Sequence, residues 1–135
     1  TLLEQRISGP AIVAQARDKQ LAVAQAGDVY HLALAGNLVA KQIIKRVSTQ
    51  IGQAIQWLFM MYDVEKVVLG GGVTRVGDAF LAPILTTLAR LRTQSLLNQK
   101  LLLDNNLMLA PSGFNAGLNG AVQLAMKGKM ERNEE

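Results

Sequence analysis

No cysteine occurs among the 135 residues. That excludes a disulfide framework and any thiolate metal site within this chain, and it fits a reducing compartment. Charged residues make up only 18% against 50% hydrophobic, a balance that argues against intrinsic disorder over most of the length. The exception is the end, residues 127–135 (K-G-K-M-E-R-N-E-E), which reads as a solvated tail. Long apolar runs are also missing. The most apolar window, Ile51 to Tyr62, is interrupted by Gln53 and Gln56 and is too short to span a bilayer. The start, T-L-L-E-Q-R, is too polar for a signal peptide. A soluble cytoplasmic protein with no membrane partner is the resulting expectation, and the length suits one domain with a single core.

The net charge is +4, but the basic residues are scattered. Only Lys41, Lys45 and Arg46 sit close together, at a spacing that places them on the outer face of a helix. A nucleic-acid surface would cluster its charges and interleave aromatics, so these three read as a solvated face.

Ser8-Gly9-Pro10 before A-I-V-A-Q-A predicts a helix start with proline in the first turn. A loop over 19–27 follows, and Asp28 is expected to cap a short helix carrying Val29, Tyr30 and Leu32. Gly36 breaks it, and Asn37 caps the next. Val39, Ile43, Val47, Ile51, Ile55, Leu58 and Tyr62 then recur at three- and four-residue steps, predicting a long helix to about Tyr62. Trp57 and Phe59 widen its apolar face, which predicts a helix sandwiched between other elements.

Val67-Val68-Leu69 is too apolar to alternate and reads as a parallel strand buried on both faces. Asp78 opens a helix carrying Phe80, Leu81, Ile84, Leu85, Leu88 and Leu91. Residues 93–106 are open between helix extension and loop. Leu107-Met108-Leu109-Ala110, stopped by Pro111, reads as a second strand, and 116–126 as a final helix. Strand, helix and parallel strand make a crossover unit, in which ligands bind beyond the carboxyl ends of the strands. Glycines stand at both ends: Gly70-Gly71-Gly72 after the first strand, and Gly113, Gly117 and Gly120 after the second.

Two common glycine signatures fail. A dinucleotide fingerprint from Gly70 would need glycine where Arg75 stands. A Walker loop from Gly72 to Gly77 would need lysine and a hydroxyl residue where Asp78 and Ala79 stand. Three consecutive glycines then have two readings, close approach of a nucleotide to backbone N–H groups or a tight turn with no ligand, and the residues leave both open. Gly117 and Gly120 share a helical face, which suits plain packing or a helix lining a cleft. His31, the only histidine, has no carboxylate or nucleophile beside it in sequence and reads as a surface or structural residue. Ser8, Thr74 and Ser112 lie near glycines, but no acid–base partner completes a nucleophilic triad. No complete active site is legible.

Taken together, V-V-L-G-G-G-V at 67–73, G-D-A-F-L-A-P-I-L at 77–85 and A-G-L-N-G-A at 116–121 resemble the C-terminal part of the ROK family of sugar kinases and sugar-responsive repressors. L-E-Q-R-I-S-G-P-A-I at 3–12 looks like the segment following that family's zinc-binding cysteine motif, and A-G-N at 35–37 stands where the family often has Ala-Gly-Asp. The resemblance runs from Leu3 to about Met126. It implies a helix-rich α/β fold with few parallel strands, the C-terminal portion of an actin-like, hexokinase-type (RNase H-like) ATPase domain. Residues 1–126 would form a partial nucleotide-facing lobe. Gly70, Gly71, Gly72 and Gly117 would line the adenosine side of an ATP cleft, and Glu4 would match the glutamate that hydrogen-bonds sugar hydroxyls.

Leu2 stands where the last zinc cysteine is expected, so the zinc site is degenerate or lost. The family's phosphate loops, catalytic aspartate and sugar-binding histidine have no match here. The chain is therefore expected to be about the last half of such a protein and inactive alone, with ATP and Mg²⁺ serving the complete protein. Three readings follow for the parent. The first is a sugar kinase of carbohydrate metabolism. The second is a transcriptional repressor, whose DNA contact requires a helix-turn-helix upstream. The third is a helix-rich dimerisation module whose glycines are turns only. A homo-oligomer is expected, because the apolar surface of such a piece needs cover.

Overall fold

The computed structural model describes residues 3–62, 64–103 and 106–110. A single-turn helix, α1 (Glu4–Ile7), leads into α2 (Gly9–Asp18). Ser8 starts α2 as its sequence implies: the hydroxyl accepts the N–H of Ala11 at 3.4 Å. Pro10 falls in the first turn, where a missing N–H costs no helical hydrogen bond.

Helix α3 (Ala26–Leu34) begins three residues earlier than expected. Asp28 is not the residue before the helix but its third member. Its carboxylate reaches back to accept the N–H groups of Gln25 at 3.0 Å and Ala24 at 2.9 Å. These backbone donors, Gln25 first, hold the Asp28 carboxyl below the usual carboxylate range. Gly36, at φ 100°, then turns the chain, and the Asn37 side chain accepts the Ala40 N–H at 2.9 Å to open α4 (Leu38–Met61).

The stripe Ile43, Val47, Ile51 and Ile55 is buried as expected. A second line, Ala40, Ile44, Ser48, Gly52 and Phe59, is buried beside it. Two buried lines explain why α4 packs against α2, α3 and α5 together. The sandwich ends before the helix does. Leu58, Tyr62 and Trp57, expected within the covered face, are 40%, 59% and 61% exposed, since no described element overlies that side of the last turn.

Strand β1 (Val67–Leu69) pairs in parallel with β2 (Leu107–Leu109), Val67 opposite Leu107 and Leu69 opposite Leu109. The pairing continues one step further, with the Ala110 N–H donating to the Leu69 carbonyl at 2.8 Å. Burial on both faces, expected from the apolar run, does not hold. Val68 and Met108 share the face away from the core and are 55% and 47% exposed. A parallel sheet needs helices over both faces, and the described helices cover one.

Between the strands, a 3₁₀ turn (Gly72–Val76) precedes α5 (Asp78–Arg92), which buries Phe80, Ile84, Thr87, Leu88 and Leu91. The open stretch beyond α5 contains a short helix, α6 (Leu96–Leu101), started by the Ser95 hydroxyl accepting the Asn98 N–H at 3.1 Å. Asn98 fastens α6 to the core. Its side-chain N–H donates to the Leu91 carbonyl at 2.8 Å, and its amide oxygen accepts from Gln56 at 3.2 Å. The expected helix at 116–126, the tail, Ser112, Gly113, Gly117, Gly120 and Leu2 lie outside the described residues.

Candidate functional site

At the carboxyl end of β1 the three glycines have three different surroundings. A Cβ at Gly70 would meet the Ala110 Cβ at 3.8 Å, an ordinary contact. Gly71 has φ 108°, where any side chain is strained. Gly72 has neither constraint: a Cβ there would meet nothing within 4 Å. Turn geometry therefore accounts for Gly71, and open space lies in front of Gly72. The turn is closed by its own bonds, with the Thr74 hydroxyl donating to the Gly71 carbonyl at 2.6 Å and the Gly77 N–H to the Thr74 carbonyl at 3.0 Å.

Two distant glycines let other helices close on this turn. A Cβ at Gly9, in the first turn of α2, would stand 3.3 Å from Val73 Cγ2. One at Gly27, in the first turn of α3, would stand 3.3 Å from Val76 Cγ1. The amino ends of α2 and α3 thus both press on residues 72–76, and the space between them is a cavity of about 830 Å³. Pro10, Val13 and Ala14 form an apolar wall, with Arg17, Gln25, His31 and Arg75 around them. A second concavity, about 510 Å³, lies against the loop and is lined by Leu3, Ile7, Ile51 and Phe80. Gly9, Gly72 and Val73 line both, so the glycine loop is shared between them.

The larger cavity suits an anion. Arg17 and Arg75 supply its positive charge, whereas the helix starts add little, since Pro10 has no N–H, Ser8 takes that of Ala11 and the Asp28 N–H is bonded to Gln25. Arg17 is steadied by its Nε donating to the Val23 carbonyl at 3.1 Å. Asp28 is turned onto the backbone before α3, and no described carboxylate lines either cavity. Among the described residues no three His, Asp or Glu side chains gather as a metal site would require. The arrangement can bind and orient, and no described group there can act as a carboxylate base.

Of the residues singled out in sequence, Gly70, Gly71 and Gly72 meet at this site. The backbone of Glu4 lies in α1, between Leu3 and Ile7 of the smaller concavity, and its side chain lies outside the description, as does Gly117. Gly9, Arg17, Gly27 and Arg75 were not foreseen as site residues. His31, expected at the surface, is exposed and lines the larger cavity. A glycine at the start of α2 and of α3 was the available signal, but only the fold shows that both face the same turn.

These features are those of a helix-rich α/β lobe with two parallel strands and a glycine loop at the end of the first, and the chain belongs to the ROK family, whose model matches residues 2–128. A glucokinase of Halalkalibacterium halodurans is 37% identical over 62 residues, which is 46% of this chain and 19% of that protein. The crystal structure of a protein provisionally assigned as a sugar kinase, from Cytophaga hutchinsonii, superposes with a TM-score of 0.70 at 20% identity. That match covers 92% of this chain and 44% of the other, so the fold is shared and this chain spans less than half of either relative.

Proposed function

We propose that this chain is the C-terminal part of a ROK-type ATP-dependent sugar kinase, that it forms the adenosine side of the nucleotide cleft, and that it is inactive alone. The observation that carries this reading is the open space in front of Gly72, bounded by the amino ends of two helices. A turn without a ligand accounts for Gly71 but leaves Gly72 unexplained.

ATP fits the residues present. Pro10, Val13 and Ala14 would offer an apolar surface to the adenine, and Arg17 and Arg75 would balance phosphate charge. Backbone N–H groups at the glycine loop would come close to the nucleotide because no Cβ intervenes. Gly117 would extend this wall and Glu4 would hydrogen-bond sugar hydroxyls. Mg²⁺ would arrive on the phosphates of ATP, and among the described residues no group of three His, Asp or Glu side chains gathers to bind it independently. Phosphoryl transfer requires metal, sugar and phosphate-contacting groups together, and this lobe supplies one wall. A repressor of the same family would share the fold; the cationic, nucleotide-sized cavity favours the kinase.

The position that tests the loop is Gly72. Gly71 variants lose stability through strain whatever the loop binds, whereas a side chain at Gly72 enters open space. In calorimetric titration with Mg-ATP, Gly72→Leu is expected to weaken binding by roughly tenfold or more, about 1.4 kcal/mol. Its thermal melting should stay near that of the parent chain. Undiminished binding in a well-folded Gly72→Leu variant refutes the nucleotide wall. Sugar phosphorylation by the chain alone refutes its dependence on the rest of the protein.

A further inference from the structure

A different face of α3 forms, with α4 and α5, a separate open concavity of about 490 Å³, and none of its lining residues lines the two cavities at the glycine loop. Its size is that of small-molecule pockets. The walls are apolar, formed by Ala33, Ile44, Ala79 and Pro83, with Leu34 standing 73% exposed at the edge.

Two features there lack an explanation in folding. Tyr30 and Ser48 both line the cavity, are each 2% exposed, and carry hydroxyls with no hydrogen-bond partner. On the facing helix, Thr86 and Thr87 satisfy their hydroxyls on the carbonyls of Ala82 and Pro83, at 3.1 and 3.2 Å. Ser48 makes no such bond, and a buried unpaired polar group is costly. Three cationic residues, Lys41, Lys45 and Arg90, also line the cavity, and no described aspartate or glutamate does. Lys41 and Lys45 are four apart on one helix, where like charges repel. Arg46, grouped with them in sequence, belongs to another concavity beside Asp18.

We propose that this cavity is a second binding site, for a small organic anion with an apolar body, whose acid group lies among Lys41, Lys45 and Arg90 and whose body lies against Ile44, Ala79 and Pro83. The hydroxyl oxygens of Tyr30 and Ser48 have almost no accessible surface in the unliganded chain, so a polar atom on that body reaches them only as the side chains in front of them shift on binding. Arg90 can grip a carboxylate or a phosphate monoester with two parallel bonds. The proposal does not depend on what occupies the glycine-loop cavity.

The test is titration of the full chain with benzoate, octanoate and phenyl phosphate, with benzyl alcohol as the neutral control, followed by amide chemical shifts. Saturable shifts confined to the lining segments of α3, α4 and α5 are expected for at least one anion and absent for the alcohol. The preference between benzoate and phenyl phosphate identifies the acid group. Combining Lys41→Gln, Lys45→Gln and Arg90→Gln, all at exposed positions, should lower affinity at least tenfold while leaving thermal melting in place. Raised salt should weaken the parent chain's binding and not the variant's. Equal binding of the alcohol, unchanged affinity in the triple variant, or no saturable shift with any of the three anions overturns the proposal.

Discussion

Gly52 stands where α4 and α5 come closest, and replacing it with alanine sets two known effects against each other. In a helix interior, Gly→Ala ordinarily gains about 1 kcal/mol through reduced backbone entropy. Here the new Cβ would stand 2.5 Å from Thr87 Cγ2 and 3.0 Å from Thr87 Cβ. Carbon contacts settle at about 3.5–4.0 Å, so the shortfall is on the order of 1 Å. Thr87 has little freedom to retreat. It is buried and β-branched, and its hydroxyl is bonded to the Pro83 carbonyl. The helices must therefore part, and overpacking of this kind costs roughly 1–3 kcal/mol. Taking the upper end, because the nearest atoms sit on a locked side chain, Gly52→Ala should destabilise the chain by about 2 kcal/mol. For a domain of this size that corresponds to a melting-point drop of roughly 6–8 °C.

Urea unfolding followed by circular dichroism measures the loss directly. Thr87→Ser supplies the second arm of a double-mutant cycle, since it removes the methyl that the new Cβ strikes. By itself it should cost about 1 kcal/mol for a lost buried methyl, yet it should recover part of the loss in the Gly52→Ala background. Recovery would be incomplete, because the 3.0 Å contact to Thr87 Cβ remains. A Gly52→Ala chain as stable as the parent, or additive effects in the double variant, would show that α4 and α5 do not meet at this distance.

Tyr30→Phe keeps the edge-on ring contact with Phe80, centroids 6.0 Å apart, and deletes a buried unpaired hydroxyl. It should raise stability by about 1 kcal/mol. Burial pushes the Tyr30 phenol up, so stability falls as pH rises above the ordinary tyrosine range, and Tyr30→Phe should remove that alkaline fall. Asp28 has the opposite sign: its lowered pKa contributes stability at neutral pH that is lost as pH falls through and below the ordinary carboxylate range. Asp28→Ala should flatten the melting temperature against pH in acid; an unchanged profile would mean the cap contributes nothing. Exposed Trp57, Met61 and Tyr62 at the end of α4 predict self-association of the chain, readable as a concentration-dependent mass in sedimentation. Met61→Glu with Tyr62→Glu should reduce it, and a monomer at all concentrations refutes the expectation.

Local chemistry was legible in the sequence wherever a few neighbouring residues decide the backbone. Ser8 and Asn37 begin α2 and α4, Gly36 ends α3, and the apolar steps from Ile43 to Ile55 face the core as their spacing requires. Asp28 was recognised as a capping residue but misplaced by three positions, because a carboxylate can cap from before a helix or reach back from inside it. The parallel pairing of β1 with β2 was likewise readable, since two short apolar runs flank a helix.

Burial at the edges was not. Val68, Leu58 and Tyr62 have the same apolar side chains as their buried neighbours, and only the position of neighbouring elements distinguishes them. The candidate site divides in the same way. Three glycines after a strand marked its location, but sequence could not separate Gly71, required by its backbone angle, from Gly72, which faces open space. Nor could it bring Gly9 and Gly27 together on Val73 and Val76, contacts that span more than forty residues of chain. Lys41 and Lys45 read as an ordinary solvated helix face until α5 set Arg90 beside the same cavity. Sequence alone determined α2, α4, α5, the two strands and the glycine turn, because caps, spacing and φ preferences act over a few residues. Tertiary structure decided which surfaces close into cavities and which charges share them, because those depend on contacts between segments far apart in the chain.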